Sequence, residues 1–217
     1  MNEKILILDF GSQYTQLIAR RVRELNIYCE IFPFQNFPAP DENTRGIILS
    51  GSPFSVHDTN HPTVDFEKFI GKFPVLGVCY GAQLIAQKFG GSVVKSNKRE
   101  YGRAILQHNE TDDVLFKNVS TQTQVWMSHA DTVAEIPSSF QLIAHTDSIP
   151  VAAYKNKNGS FAKPVYCLQF HPEVTHSTEG KTLLENFCVS ICASPARMWV
   201  ATQRNAAPAR SSSMVMQ

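Results

Sequence analysis

A cysteine flanked by two glycines is the feature of this sequence best suited to chemistry. Gly77-Val-Cys79-Tyr-Gly81 has the small-x-nucleophile-x-small spacing of a nucleophile elbow, with cysteine in the place of serine. The glycines let a tight strand-to-helix turn form without Cβ collisions. The turn places the thiol at a helix N-terminus, where free N–H groups and the helix dipole favour the thiolate. For this window alone, a buried core cysteine is the alternative interpretation.

A histidine and a glutamate two residues apart supply the partners that a catalytic thiol needs. The thiol requires a base to take its proton, and the base requires an acceptor to orient it. His171-Pro-Glu173 follows a predicted strand, and alternation along an extended chain points residues 171 and 173 the same way. Glu173 can then hold the imidazole in one tautomer. The histidines interpreted as structural are His57, His61, His108, His145 and His176.

Backbone N–H groups near the thiol are candidates for an oxyanion hole. Tyr80 follows the nucleophile, so the geometry of an elbow makes its N–H one donor. Gly51-Ser52 ends an adjacent predicted strand and can offer another. An ordinary turn is the alternative for that loop, because Ser-Gly-Ser-Pro is common loop chemistry.

The elements around these residues follow a strand–helix rhythm in the first half of the chain. Apolar runs predict strands over 4–10, 28–32, 46–50 and 75–78, and helical spacing predicts helices after residue 13, around 64–69 and over 80–89. This rhythm is typical of a doubly wound, mostly parallel sheet flanked by helices. Ligands bind beyond the carboxyl ends of the strands in such sheets, and both Gly51-Ser52 and Cys79 lie at strand ends.

The pattern becomes β-rich after Gly90-Gly91. Strands are predicted over 92–95, 104–107, 124–127, 141–145, 151–155 and 165–170, and a last helix over 178–192. Asn158-Gly159 predicts a tight hairpin turn. The expected fold class is therefore α/β, with a β-rich C-terminal half, in one domain over residues 1–192. Residues 193–217 are rich in Ala, Ser, Pro and Arg and are predicted to be a linker or disordered tail.

Composition excludes several classes of partner. The 20 Lys and Arg residues balance 19 Asp and Glu residues, so no net field steers the chain to nucleic acid or to a membrane. No apolar run reaches the length of a membrane span, and the N-terminus lacks a signal peptide's apolar region. Five cysteines without paired C-x-x-C spacing predict no metal site and fit the reducing cytoplasm. A cytoplasmic α/β domain is expected.

The motifs together resemble those of a known family. Gly77-Val-Cys-Tyr-Gly-Ala-Gln83 and His171-Pro-Glu173 resemble the class I, or triad, glutamine amidotransferases. Within that family, the segments most similar to the branch that serves GMP synthesis are residues 5–24, 99–104, 126–131 and 169–177. This class I amidotransferase-like resemblance extends over roughly residues 4–192.

The resemblance implies a reaction and a partner. Cys79 would attack the carboxamide of glutamine, His171 would protonate the departing ammonia, and water would cleave the thioester. The positions that match the glutamine pocket are Gln83, Ser128, His129, Ala130 and Asp131. Ammonia would pass to an ATP pyrophosphatase domain or subunit that uses ATP and Mg²⁺ to convert XMP to GMP. No cofactor is implied in this chain itself.

The sequence departs from the family pattern at two site positions. Ser52 stands where the family usually has the second glycine of Gly-Gly-Pro, and Ala130 stands where glycine is usual, which adds a methyl group to the pocket. The sequence also has no Ser-Gly-Gly-x-Asp-Ser pyrophosphate loop. The chain is therefore interpreted as an isolated domain, a truncated piece or a separate subunit.

Three other functions stay open at this point. One is the amidotransferase domain of another triad-class synthase, such as an anthranilate or CTP synthase. Glu100-Tyr-Gly-Arg103 and Val174-Thr-His-Ser177 argue against it. Another is a stand-alone cysteine hydrolase, such as a γ-glutamyl hydrolase or a peptidase. The last is a non-catalytic interaction domain, and the presence of all three triad residues argues against that.

Overall fold

A computed structural model describes residues 3–108 and 113–193 of the chain. Its strands are β1 (Lys4–Asp9), β2 (Cys29–Pro33), β3 (Thr44–Leu49), β4 (Val75–Val78), β5 (Ser92–Gln107), β6 (Gln122–Glu135), β7 (Phe140–Ala144), β8 (Ala153–Asn156) and β9 (Val165–Leu168). Its α-helices are α1 (Thr15–Glu24), α2 (Tyr80–Lys88) and α3 (Gly180–Glu185), and α3 continues as a π-helix over Asn186–Ile191. Short 3₁₀ turns lie at Phe34–Asn36, Phe66–Lys68 and Val114–Phe116.

Seven of these strands form the central sheet, in the order β2-β1-β3-β4-β9-β8-β7. The first five strands in this order, from β2 to β9, pair in parallel. Strands β8 and β7 extend the sheet as antiparallel strands. Strands β5 and β6 form a separate antiparallel ribbon. The predicted α/β class, with a doubly wound, mostly parallel sheet and a β-rich second half, is confirmed.

The central strands are buried on both faces, which explains their continuous apolar runs. Because successive side chains alternate, Ile5 and Ile7 pack into one core while Leu6 and Leu8 pack into the other. Helix α1 covers the first face and helix α2 the second. The sheet therefore separates two hydrophobic cores.

Several predicted elements differ from those observed because long-range contacts decide them. The predicted strands 92–95 and 104–107 belong to one strand, β5, and the predicted strand 124–127 is part of the longer β6, since the two strands pair along most of their length. The predicted helix at 64–69 is only a 3₁₀ turn, in which the Asp65 side chain accepts from the N–H of Glu67. The final helix begins two residues later than predicted.

The turn predicted at Asn158-Gly159 is present, since the N–H of Ser160 donates to the carbonyl of Lys157 at 3.1 Å and Gly159 has a positive φ of 84°, but it does not join the two strands directly. Strands β8 and β9 do pair as a hairpin, but residues 157–164 form a wide loop between them. Asn156 closes this loop, because its side-chain oxygen accepts from the N–H of Val165 at 2.7 Å.

The predicted linker or tail at 193–217 lies outside the described residues except for Ala193. No helix in residues 3–108 and 113–193 combines the length and apolar character needed to cross a membrane. All five cysteines are buried free thiols.

Candidate active site

Cys79 is the single residue that joins strand β4 to helix α2. Its φ of 51° and ψ of −102° lie in a region that non-glycine residues rarely adopt. Two backbone hydrogen bonds hold this turn: the N–H of Cys79 donates to Leu168 at 2.7 Å, and the N–H of Gly81 donates to Ser50 at 3.1 Å. The chain therefore has the strained elbow that the spacing predicts.

The two glycines of the elbow are required by close backbone packing. A Cβ on Gly77 would lie 2.9 Å from the backbone nitrogen of Ala82. A Cβ on Gly81 would lie 2.6 Å from the Cβ of Leu49 and 2.7 Å from its carbonyl oxygen. The first turn of α2 thus rests directly on β3 and β4, and this contact fixes the direction of the Cys79 side chain.

We expect Gly81→Ala to push the start of α2 away from β3. Such overpacking typically costs about 1–3 kcal/mol of the free energy of unfolding, and the shift of Cys79 should reduce the glutamine turnover that the sequence resemblance implies. Gly71→Ala is the control for a loss of stability without contact at the site: Gly71 has a positive φ of 78° and no neighbour within 4 Å, so an alanine there should lower the free energy of unfolding through backbone strain and leave turnover unchanged. Chemical denaturation and a glutamate-release assay measure both effects. Parent-like turnover in Gly81→Ala would contradict the role assigned to this packing.

His171 and Glu173 form a buried pair beside the elbow. The Nδ1 of His171 lies 2.7 Å from Oε1 of Glu173, and the two residues are 2% and 0% exposed. The imidazole of His171 also interacts with the Cys79 side chain. The phenol ring of Tyr14 makes a T-shaped contact with this imidazole, with 5.0 Å between the two centroids. Since Nδ1 is engaged by the carboxylate, Nε2 is the nitrogen left for the thiol.

Electrostatics favour the imidazolium form of His171, which suits it to hold the proton taken from the Cys79 thiol. Burial by itself lowers the pKa of His171, but the attraction of Glu173 and of Cys79 outweighs burial and holds that pKa well above its usual value. His129 shows the opposite behaviour: burial, together with the nearby charge of His171, lowers its pKa to about 4. His129 is therefore neutral near pH 7, and its Nε2 has no partner within the described residues.

The backbone N–H groups of Ser52 and Tyr80, beside Cys79, have no protein acceptor within the described residues. Ser52 is not among the residues with positive φ, so its Cβ introduces no strain where the family has glycine. Its hydroxyl donates to the carbonyl of Phe10 at 2.8 Å and accepts from the N–H of Phe54 at 3.2 Å. The hydroxyl is thus occupied in holding the loop, while the N–H is free.

A cleft of about 570 Å³ brings most of the predicted residues together. Its lining includes Ser52, Cys79, Tyr80, Gln83, His171 and the four residues 128–131. Gly51 lies behind the lining, and a Cβ there would lie 3.3 Å from Cε1 of His171. Glu173 is likewise absent from the lining and is fully buried. The cleft lies at the carboxyl ends of β1, β3 and β4, and its volume suits a small-molecule ligand.

The predicted pocket segment Ser128–Asp131 lies within strand β6. The Nε2 of Gln83 donates to the carbonyl of Asp131 at 2.7 Å, so helix α2 holds this strand at the cleft. Cys79 also touches the segment, with its sulfur 3.8 Å from the carbonyl oxygen of Ser128. Ala130 is exposed, so its additional methyl group lies on the open side.

Sequence reasoning missed part of the cleft wall. Ser12, Gln13 and Tyr14 follow strand β1 and line the cleft, as do Phe54 and Tyr101. The first three could have been found from the rule that ligands bind beyond strand ends, because Gly11-Ser-Gln directly follows the first predicted strand. In the described residues, no group of three or more His, Cys, Asp or Glu side chains is arranged to hold a metal ion.

Comparisons with known proteins identify the family of the chain. A family described as glutamine amidotransferase class-I matches residues 6–191. A glutamine-hydrolysing GMP synthase of Cytophaga hutchinsonii is 58% identical over 192 residues, which are 88% of this chain and 37% of that protein. A glutamine-hydrolysing GMP synthase of Bacteroides fragilis is 54% identical over the same shares. The chain spans little more than a third of the length of these relatives.

Solved structures show the same fold. A protein from Thermoplasma acidophilum, provisionally described as one subunit of a GMP synthase, is 31% identical with a TM-score of 0.75, and the match covers 89% of this chain and 96% of that one. A glutamine amidotransferase from Thermotoga maritima is 18% identical with a TM-score of 0.66, covering 88% and 99%. The second likeness concerns the fold alone.

Proposed function

The chain belongs to the class-I glutamine amidotransferase family, and on that premise we propose that it hydrolyses glutamine through Cys79, His171 and Glu173 and supplies the ammonia to a partner that makes GMP. The observation that carries the proposal is the meeting, at one cleft, of a strained elbow cysteine with a buried His–Glu pair. The N–H groups of Ser52 and Tyr80 border the same cleft.

The first half of the reaction forms a thioester. His171 takes the proton of the Cys79 thiol, and the sulfur attacks the carboxamide carbon of glutamine. The N–H groups of Ser52 and Tyr80 stabilise the oxyanion that forms. His171 then donates its proton to the nitrogen, the C–N bond breaks, and ammonia leaves. The raised pKa of His171 supports this step, because it keeps the imidazolium available to the leaving group.

The second half releases glutamate. A water molecule attacks the γ-glutamyl thioester while His171 takes its proton, and the C–S bond breaks to regenerate the thiol. Glu173 accepts the hydrogen bond from Nδ1 of His171 throughout and stabilises the imidazolium, as the acidic member of a triad does. Gln83, Ser128, His129, Ala130 and Asp131 bind the glutamine in the cleft. None of these steps uses a metal or cofactor in this chain.

The partner is an ATP pyrophosphatase domain or subunit that uses ATP and Mg²⁺ to activate XMP. Curated relatives named as GMP synthases extend well beyond the part that matches this chain, which supports a larger assembly. Ammonia free in solution is mostly ammonium near pH 7, so a protected path to an activated acceptor is needed. The reducing cytoplasm suits a reaction that depends on a free thiol.

A glutamate-release assay tests the proposal in two stages, with Cys79→Ala as the blank. The chain alone is expected to be a slow glutaminase that makes no GMP. Addition of an ATP pyrophosphatase with ATP, Mg²⁺ and XMP is expected to accelerate glutamine hydrolysis by about 5–150-fold, the usual size of coupling between sites. A full basal rate that never responds to the partner would instead indicate a self-sufficient hydrolase. Activity that survives in Cys79→Ala would contradict the whole mechanism.

A further inference from the structure

A closed ring of hydrogen bonds joins strand β6 to His171 through Ser177. The N–H of His171 donates to the carbonyl of Trp126 at 3.0 Å, and the N–H of Trp126 donates to the Oγ of Ser177 at 3.0 Å. The hydroxyl of Ser177 then donates to the carbonyl of His171 at 2.6 Å. Each residue is therefore bonded to the other two. Ser177 is buried, with 5% of its surface exposed.

This ring of hydrogen bonds links the two parts of the proposed site, the cleft-lining segment of β6 and His171. Trp126 precedes the cleft-lining segment 128–131 by two residues on the same strand, and His171 is the proposed acid and base. Removal of the Ser177 hydroxyl would break two of the three bonds at once. The N–H of Trp126 and the carbonyl of His171 would then lose their partners, which is costly for groups that are out of contact with water.

We propose that Ser177 is a positioning residue for glutamine hydrolysis, whose hydroxyl fixes His171 relative to the glutamine-binding segment of β6. The inference rests on the proposed function, because it assumes that His171 transfers protons at Cys79. Ser177 is absent from the cleft lining, so its effect reaches the reaction through His171.

The neighbouring contacts explain why the effect should be confined to His171. The carbonyl of Glu173 is held separately by the Nε of Arg21 at 3.0 Å, from helix α1. The N–H of Thr178 donates to the carbonyl of Gln124 at 3.0 Å, which keeps the segment on β6. Both anchors survive when the Ser177 hydroxyl is removed, so the loop should stay in place while the carbonyl of His171 loses its hydrogen-bond donor.

Thr178 offers a matched control in the same segment. Its hydroxyl lies 3.2 Å from the hydroxyl of Thr123 and 3.4 Å from the carbonyl of Gln124. Neither of these hydrogen bonds involves a member of the hydrogen-bonded ring. Thr178→Val therefore removes a hydroxyl that ties the same segment to the same strand, without touching His171.

The test measures glutaminase kinetics on the whole chain, with active sites counted by complete labelling of Cys79 with an electrophilic glutamine analogue. In Ser177→Ala, kcat per labelled site should fall about 10²-fold, the size expected for a misplaced catalytic group, with little change in KM. Ser177→Thr, which retains a hydroxyl, should recover most of this loss. Thr178→Val should behave as the parent. If Ser177→Ala does not fold, Ser177→Cys replaces it with the same expectation, because a thiol is a weak hydrogen-bonding group.

A double variant separates this inference from the proposed function. Groups that act as a unit are not additive, so Ser177→Ala should cause no further loss once His171 is alanine. A parent-like kcat in Ser177→Ala, an equal loss in Thr178→Val, or a further loss in the double variant would each overturn the positioning role. An unchanged rate in His171→Ala alone would instead overturn the proposed mechanism.

Discussion

Glutamine turnover in a His171→Ala variant is expected to fall by about 10²–10⁴-fold, the usual contribution of a positioned acid–base group. The imidazole is placed between Cys79 and the Glu173 carboxylate, so its removal leaves the thiol without a proton acceptor and the departing ammonia without a donor. Steady-state glutamate release, with Cys79→Ala as the blank, measures the loss. A turnover equal to that of the parent would exclude the triad.

Replacement of the orienting carboxylate should cost less and should also change the pH dependence. Glu173→Gln removes the attraction that raises the pKa of His171, so that pKa should fall towards its usual value. The imidazolium is then lost at lower pH, and the alkaline limb of the kcat profile should move to lower pH. Of the other titratable groups that face His171, Tyr14 packs against the ring and His129, with a pKa of about 4, is already neutral in this range. An alkaline limb that does not move would contradict this account of Glu173.

Local sequence was sufficient to predict the elbow and the pair that accompanies it. Cys79 stands between two glycines that no residue with a Cβ can replace without a collision. The neighbours in question are the backbone of Ala82, a few residues away, and Leu49 on the adjacent strand. His171 and Glu173 do pair as the spacing predicts, but strand β9 ends at Leu168 and residues 172–173 lie in a turn, so the turn and not extended alternation brings them together. The parallel sheet was also predictable from local sequence, because buried strands and amphipathic helices each have a recognisable period.

Features that depend on pairing between distant segments were not predictable. The length of β5 and β6 follows from their mutual register, which places the predicted pocket segment 128–131 within a strand. The ring of hydrogen bonds through Ser177 requires residues 126, 171 and 177 to meet, and no spacing in the sequence predicts that meeting. The local turn signal at Asn158-Gly159 was correct, but the length of the loop around it was not predictable, because a side-chain hydrogen bond from the N–H of Val165 to Asn156 closes the loop across the hairpin.

The Ser52 hydroxyl is another contact that the sequence did not reveal, and it changes what substitutions at this position should do. From the sequence alone, Ser52→Ala would be nearly neutral if only the N–H matters. In the structure the hydroxyl bonds Phe10 and Phe54, and each such hydrogen bond contributes about 0.5–1.5 kcal/mol to stability. Ser52→Ala should therefore lower the free energy of unfolding modestly while it leaves the N–H donor, and most of the turnover, in place.

Ser52→Pro should have a much larger effect on turnover, because proline has no N–H to donate. Loss of one oxyanion-hole donor typically costs about 10²–10³-fold in kcat. Since proline also removes the hydroxyl, Ser52→Ala is the matched control for the loop contacts. The comparison of kcat between the two variants isolates the contribution of the N–H.

Alkylation of Cys79 by iodoacetamide shows whether such a loss arises in the oxyanion hole or in the thiol. Iodoacetamide reacts by displacement at a saturated carbon, so no oxyanion forms and the Ser52 N–H has no part in the step. In Ser52→Pro, Cys79 should therefore be alkylated at close to the parental rate while glutamine turnover falls. Because Ser52 and Cys79 border the same cleft, a general distortion of that cleft would slow both reactions together. Parallel losses in alkylation and turnover would thus refute the assignment of the Ser52 N–H as an oxyanion donor. A loss confined to turnover would require a group that acts only when the carbonyl oxygen of glutamine becomes negative, as the Ser52 N–H is proposed to do.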